Sequence, residues 1–184
     1  MNQFNQSPPR KIVFMLTIRH VAEADVALIC KHRIAMFRAM GQEADEALTE
    51  SVNNFASWVV PRLADGRYHG WIAFDGDRAA GSAGLLILEW PPVPHDPSGE
   101  YRGYILNVYV EPEYRRRGVA RELVGHCLAE ASRRGIRVVT LHASEDGRAL
   151  YESLGFKPAN EMRLERAATD GSTSEGGAFS SVLP

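Results

Sequence analysis

The sequence predicts a mixed α/β domain in which strands and helices interleave. Three observations carry that prediction. Short apolar runs of strand character recur between segments of helical periodicity. The chain has 184 residues, 45% of them hydrophobic, which is enough to bury a sizeable core in one domain. Residues 104–124, YILNVYVEPEYRRRGVARELV, read as a strand, a basic turn and a helix in direct succession. The folded domain is expected over residues 15–166, with flexible polar tails at 1–14 and 167–184.

Each element has its own reason. Leu16–Arg19 is the first convincing strand. From Ala22 to Met40, Val26, Cys30, Ile34 and Phe37 fall on one helical face, with Ile29 and Arg33 beside them, and Gly41 ends the helix. Glu43, Asp45 and Glu46 crowd the start of a second helix, where carboxylates offset the helix dipole. That helix continues through Leu48, Val52, Phe55, Val59 and Val60, and Pro61 is expected to disturb its last turn. Tyr68–Phe74 is a strand, Asp75-Gly76-Asp77 a hairpin turn, and Arg78–Trp90 the returning strand, where Gly81 and Gly84 mark bends or bulges. Residues 91–100 hold four prolines and form a loop. Tyr104–Val110 is apolar on both alternating faces, so it is a central strand covered on both sides. A helix runs from Val119 to about Arg134, and Ile136–Ala143 is another apolar strand. A short helix follows within residues 147–158, ended by Gly155. Glu161–Arg166 is expected as a last edge strand.

The turn at residues 111–118 is a device for holding an anion. The first N–H groups of a helix lack internal partners and lie at the positive end of its dipole. Gly118 lets a ligand approach without a Cβ, and Ala120 keeps the next turn small. Neither G-x-G-x-x-G nor the P-loop pattern occurs here. What stands in this place is Arg115-x-x-Gly118-x-Ala120, preceded by Val108-Tyr109-Val110. This resembles the acetyl-CoA signature of the GNAT superfamily of N-acetyltransferases. A second resemblance lies about thirty residues on: GRALYESLGFKP, Gly147 to Pro158, with Tyr151 in a short helix and Leu154-Gly155-Phe156 closing it.

The resemblance covers roughly residues 15–165 and implies a fold. It is a mixed, strongly twisted sheet of six to seven strands, flanked by about four helices, whose central strands splay apart. It also implies acetyl-CoA as co-substrate. The backbone of Val108 and Val110 would pair with the pantetheine arm. Arg115, Arg116, Arg117, Gly118, Val119, Ala120 and Arg121 would hold the pyrophosphate, chiefly through backbone N–H groups. The Val110 N–H would be the oxyanion donor and Tyr151 the general acid for the departing thiolate. Ser144 stands seven residues before the tyrosine, where some members carry a cofactor-contacting asparagine. No acyl-enzyme is implied.

An amine acceptor is almost wholly protonated at neutral pH, and freeing it costs about 4 kcal/mol, so a general base is required. Some family members carry a carboxylate at about position 104, where this chain has Tyr104. The candidate bases are therefore His142, at the end of strand 136–143, and Glu89 and Glu100, which flank the proline loop. Each also has a plain reading as a structural or solvated residue. Tyr151 could equally pack its ring in the core.

A formal net charge of −2 gives no pull toward nucleic acid or an anionic membrane. No apolar stretch reaches membrane-spanning length and no signal-peptide pattern opens the chain. Cys30 and Cys127 read as buried reduced thiols, which suits a cytoplasmic protein. The histidines show no metal-ligand spacing, so no metal is expected. Three readings remain: acetylation of a small-molecule amine, acetylation of a protein N-terminus or lysine, and a non-catalytic coenzyme A-binding module. Tyr151 favours the first two. A homodimer is left open. The acidic segment Glu43–Glu50 is a solvated helix start or a border of the acceptor site that would favour a cationic amine.

Overall fold

The computed structural model describes residues 16–165; the two expected tails, with Met15 and Arg166, lie outside the described residues. Five strands form one sheet in the order β1-β2-β3-β4-β5. They are β1 (Leu16–His20), β2 (Tyr68–Asp75), β3 (Arg78–Glu89), β4 (Tyr101–Val110) and β5 (Val139–Leu141). The first four pair antiparallel, and β5 joins β4 in parallel. Helices α1 (Val26–Ala39) and α2 (Glu46–Ala64) cover one face, while α3 (Val119–Arg133) and α4 (Arg148–Ser153) cover the other.

Two apolar clusters hold the layers together. Ile29, Val52, Phe55 and Val59 from the first two helices meet Tyr68 and Ile72 of β2. On the other face Val119, Leu123, Val124, Cys127 and Ala131 meet Ala83, Leu85 and Ile105, with Tyr151 in the same cluster. The α3 stripe falls at positions i, i+4, i+5, i+8 and i+12, the spacing that aims one helical face at a sheet. The start of α2 is fixed by Asp45, whose Oδ1 accepts the Leu48 N–H at 2.8 Å. A side-chain cap of this kind stabilises a helix by about 1 kcal/mol. Asp45 thus serves the helix start, and α2 continues through Pro61 to Ala64.

The sheet differs from expectation in three ways. The strand expected over Ile136–Ala143 is only Val139–Leu141, because pairing with β4 stops at Ile105. Residues 161–165 form no strand. Glu161 lies 3.6 Å from Arg102 while Met162 and Leu164 are 95% and 78% exposed, so that segment has no apolar surface to dock on. The count is therefore five strands among the described residues, where six to seven were expected. Finally, the irregularities fall beside the glycines and not on them. The β2–β3 register shifts at Ala73/Phe74, leaving Ala80 as the extra residue. The β3–β4 register shifts between Ser82 and Gly84, where β4 carries the extra residue at Asn107–Val108.

Candidate active site

β4 and β5 are paired at Gly103↔Val139, Tyr104↔Thr140 and Ile105↔Leu141 and then diverge. β4 runs on to Val110, while the chain leaving β5 turns through Ser144 into α4. This is the splay the sequence led one to expect. Gly103 N–H donates to Val138 O on the β5 side, and Glu111 N–H donates to Ala80 O on the β3 side. Backbone groups of an extended strand alternate in direction, so the Val110 N–H, one residue before Glu111, aims into the open edge. The Val110 carbonyl faces the same way and accepts a 3.0 Å bond from Arg115 Nε.

Asn107 makes the bulge that sets this geometry. Its φ is +54°, in the left-handed region, and its side chain is buried. Asparagine is among the few non-glycine residues that adopt this region, and such backbone clusters at functional sites. The side chain is held from both sides. Its Oδ1 accepts from Arg33 Nη1 at 2.5 Å, and its Nδ2 donates to the Tyr68 hydroxyl at 3.4 Å. Opposite Val110, a Cβ added to Gly81 would lie 2.5 Å from Tyr109 O, so only glycine lets β3 approach β4 this closely.

The basic turn ends in an exposed helix start. Arg116 and Gly118 have φ of +57° and +87°. Gly118 is the N-cap of α3, no side chain caps the helix, and a Cβ at Gly118 would meet nothing within 4 Å. The first intrahelical bond runs from Glu122 N–H to Gly118 O. The N–H groups of Val119, Ala120 and Arg121 thus lie at the positive end of a helix with no side-chain acceptor. Of the arginines, Arg115 folds back over Tyr109, with 5.9 Å from its guanidinium carbon to the ring centre. Arg121 Nη2 donates to Ser153 Oγ at 2.6 Å and ties α3 to α4. Arg116 and Arg117 are exposed.

Tyr151 is buried beside both lips of the splay. It belongs to the cluster against which Val108, Val110, Leu141 and Ala143 pack, and its ring meets Phe156 edge-on at 5.9 Å. Burial first, and then the Cys127 thiol, pushes its hydroxyl above the ordinary value, so it holds its proton. Ser144 is spent on local structure: its Oγ accepts the Gly147 N–H at 3.2 Å, ordering the turn into α4.

Of the three candidate bases only His142 lies at the point of divergence. Its Nδ1 is hydrogen-bonded to the Tyr104 hydroxyl, with the rings 5.8 Å apart. Burial, the largest influence, raises the Tyr104 pKa, so the hydroxyl keeps its proton at neutral pH. Glu89 faces Tyr101 at the far end of the β3–β4 pair, and Glu100 precedes β4; both are exposed. Four to five strand residues, roughly 13–17 Å, separate them from Ile105.

Sequence reasoning passed over Asn107, Arg33 and the polar set beneath Val110. In that set Tyr109 donates to Glu111 Oε2 at 3.0 Å, Glu111 Oε1 lies 3.7 Å from His32 Nε2, and His32 Nδ1 meets Ser82 Oγ at 2.9 Å. Asparagine's tolerance of left-handed backbone was the one available signal for the bulge. No group of three or more His, Cys, Asp or Glu able to hold a metal exists among the described residues. No helix among them is long and apolar enough to cross a membrane.

A mixed sheet that splays beside its fourth strand, with a glycine-capped helix start at the mouth, is the architecture of GNAT acetyltransferases. Comparison with known proteins agrees. The model of the acetyltransferase (GNAT) family matches residues 30–156. A GCN5-related N-acetyltransferase from Ralstonia eutropha JMP134 superposes with a TM-score of 0.78 at 41% identity, covering 83% of this chain and 99% of that one. A chain from Clostridium acetobutylicum, described as a predicted acetyltransferase and solved with acetyl-CoA, superposes at 0.72 with 26% identity, covering 83% and 96%. The ribosomal protein bS18-alanine N-acetyltransferase of Escherichia coli K12 is 37% identical over 70 residues, 36% of this chain and 47% of the relative. The chain thus spans about half the length of that curated relative. The protein belongs to the acetyltransferase (GNAT) family.

Proposed function

We propose that residues 15–166 act as one acetyltransferase domain that moves the acetyl group of acetyl-CoA to a primary amine of a small molecule, by direct attack in a ternary complex. The observation that carries this reading is the open β4 edge leading to a helix start without a side-chain cap. An extended arm ending in a pyrophosphate fits that pairing: amides along β4 for the arm, and the N–H groups of Val119, Ala120 and Arg121 for the anion. Arg115, Arg116 and Arg117 add screened attraction at the surface, worth little singly. Gly118 keeps the approach clear, and Ser144 borders the cofactor from the turn before α4.

Acetyl-CoA supplies an activated thioester: the amine nitrogen bonds to its carbonyl carbon as the C–S bond breaks. The residues of this chain manage the charges and protons. The Val110 N–H, with Val108 two residues before it, donates to the carbonyl oxygen where negative charge develops. Tyr104 and His142 form the route for the amine proton. The Tyr104 oxygen takes that proton while its own passes to His142 Nδ1, and the exposed imidazolium then gives a proton to water. Tyr151, which holds its proton at neutral pH, protonates the thiolate, and the second proton released by the acylated nitrogen restores its own. Glu89 and Glu100 have no part in this scheme. Two free, buried thiols suit a cytoplasmic setting.

A second reading, acetylation of a protein N-terminus, is favoured by one observation: the E. coli relative is named for the alanine of a ribosomal protein. A screen of small amines and short peptides with acetyl-CoA, read by mass spectrometry, tests the proposal. Acetylated small amines support it, peptides alone acetylated at their N-termini support the second reading, and acetyl-CoA binding without any transfer leaves a binding module.

A further inference from the structure

The side of β4 that faces α1 carries a cation that the reaction scheme does not use. Arg33 on α1 lies against two rings, its guanidinium carbon 4.8 Å from the centre of Phe37 and 4.7 Å from that of Phe55. Its Nη1 donates to Asn107, and its Nε is buried with no hydrogen-bond partner. Arg33 takes part in none of the ion pairs of the described residues, whose nine members all involve other side chains. Burial is the largest influence on its pKa and lowers it, with no carboxylate among the compensating groups. A partly buried charge is ordinarily paired, because desolvation is costly when no counter-charge offsets it. Here the protein provides aromatic walls and one neutral amide.

The location gives the unpaired charge a use. Asn107 is the bulge residue directly before Val108, so Arg33 reaches the strand beside the point where the acyl group would be held. Both rings lie against the guanidinium, and with Nη1 bonded to Asn107 its Nε is left with no acceptor in the protein. An edge-on guanidinium presents parallel N–H donors that match a carboxylate in bidentate fashion. Lysine would offer a point charge with no such geometry.

We infer that Arg33 is the specificity residue of the acceptor site, and that the acceptor is a primary amine that also bears a carboxylate, as an amino acid does. This rests on the acetyltransferase reading above and names its substrate class. Arg33 binds the carboxylate, and the amine of the same molecule is thereby turned toward the thioester carbon.

The test compares matched acceptors. Each of several amino acids is assayed beside its amide and its decarboxylated amine, and phosphoethanolamine beside ethanolamine, with wild type and with R33Q and R33K. The expected result is an acceptor KM at least about tenfold lower for the carboxylate member in wild type, as a charge-assisted bidentate pair implies. R33Q removes that preference, R33K restores part of it, and the KM for acetyl-CoA stays close to wild type. Preference for the phosphate member over every carboxylate would overturn the carboxylate assignment. Equal loss of activity toward carboxylate and amide members in R33Q would make Arg33 a clamp on Asn107 and overturn the inference. If no amine is acetylated, the transferase reading itself fails. In that event calorimetry with N-acetylglycine, in the presence of coenzyme A, decides the anion site separately: binding lost in R33Q supports it, and equal or absent binding in both proteins overturns it.

Discussion

The Tyr104 hydroxyl is hydrogen-bonded to His142 Nδ1 at the point where β4 and β5 part, joining residues 38 positions apart in the chain. One side chain comes from a strand that is partly buried, the other from an exposed stretch just past β5. The pair leads from the sheet interior to solvent, as a proton exit requires.

If that pair serves the amine, H142Q should lower kcat/KM by roughly a hundredfold to ten-thousandfold, the size usual for a positioned base. Y104F should fall in the same range, and the double variant should be little worse than the weaker single, since the two act as a unit. Unchanged kcat/KM in H142Q would remove His142 from the proton path.

Tyr151 makes a separate prediction. Y151F deletes only a hydroxyl, so folding and acetyl-CoA affinity should stay near wild type while kcat drops by about tenfold to a thousandfold. Rapid-mixing kinetics that find the same chemical step in both proteins would make Tyr151 a packing residue of the α3-side cluster.

His32 predicts how stability depends on pH. It is 1% exposed, and burial depresses its pKa below the ordinary 6.5 more than nearby Glu111 raises it. Above pH 6.5 it is neutral in both folded and unfolded chains and costs nothing. As pH falls below 6.5 the unfolded chain takes up the proton first. Stability then declines, by at most about 1.4 kcal/mol per pH unit for this one group. His69 is shifted in the same direction by burial and adds to the slope. Glu130, lowered to about 2 chiefly by its bond to Arg133, acts only at much lower pH. Urea titrations between neutral pH and mild acid should show a shallower slope for H32Q than for wild type, and equal slopes would contradict this account.

How much of this was legible in the sequence follows from range. The strand–turn–helix unit over β4 and α3 could be read because its signals are local: an apolar run, a glycine closing the basic turn and apolar residues at helical spacing. The same holds for the β2–β3 hairpin. The length of β5 was not legible, since it is set by where β4 stops accepting a partner, at Ile105. The segment 161–165 has strand-like composition, yet its Met162 and Leu164 find nothing to pack against. The bulge hid for a related reason: Gly81 and Gly84 drew attention, while the residue that bends is Asn107, pinned by Arg33 and Tyr68 from distant elements. The candidate cofactor residues could be named one by one from a motif. The Tyr104–His142 contact and the setting of Arg33 could not, because each depends on contacts across the fold.

The central claim is that the turn ending at Gly118 and the open β4 edge hold acetyl-CoA. Calorimetric titration of acetyl-CoA into wild type and G118E tests it most directly. A Cβ at this position meets nothing within 4 Å, though the left-handed backbone costs roughly 1–2 kcal/mol. G118E should therefore still unfold cooperatively, at a somewhat lower temperature. Its carboxylate would stand where the phosphates bind. The account predicts one acetyl-CoA site per chain in wild type and no measurable binding in folded G118E. Unchanged affinity in folded G118E would contradict it.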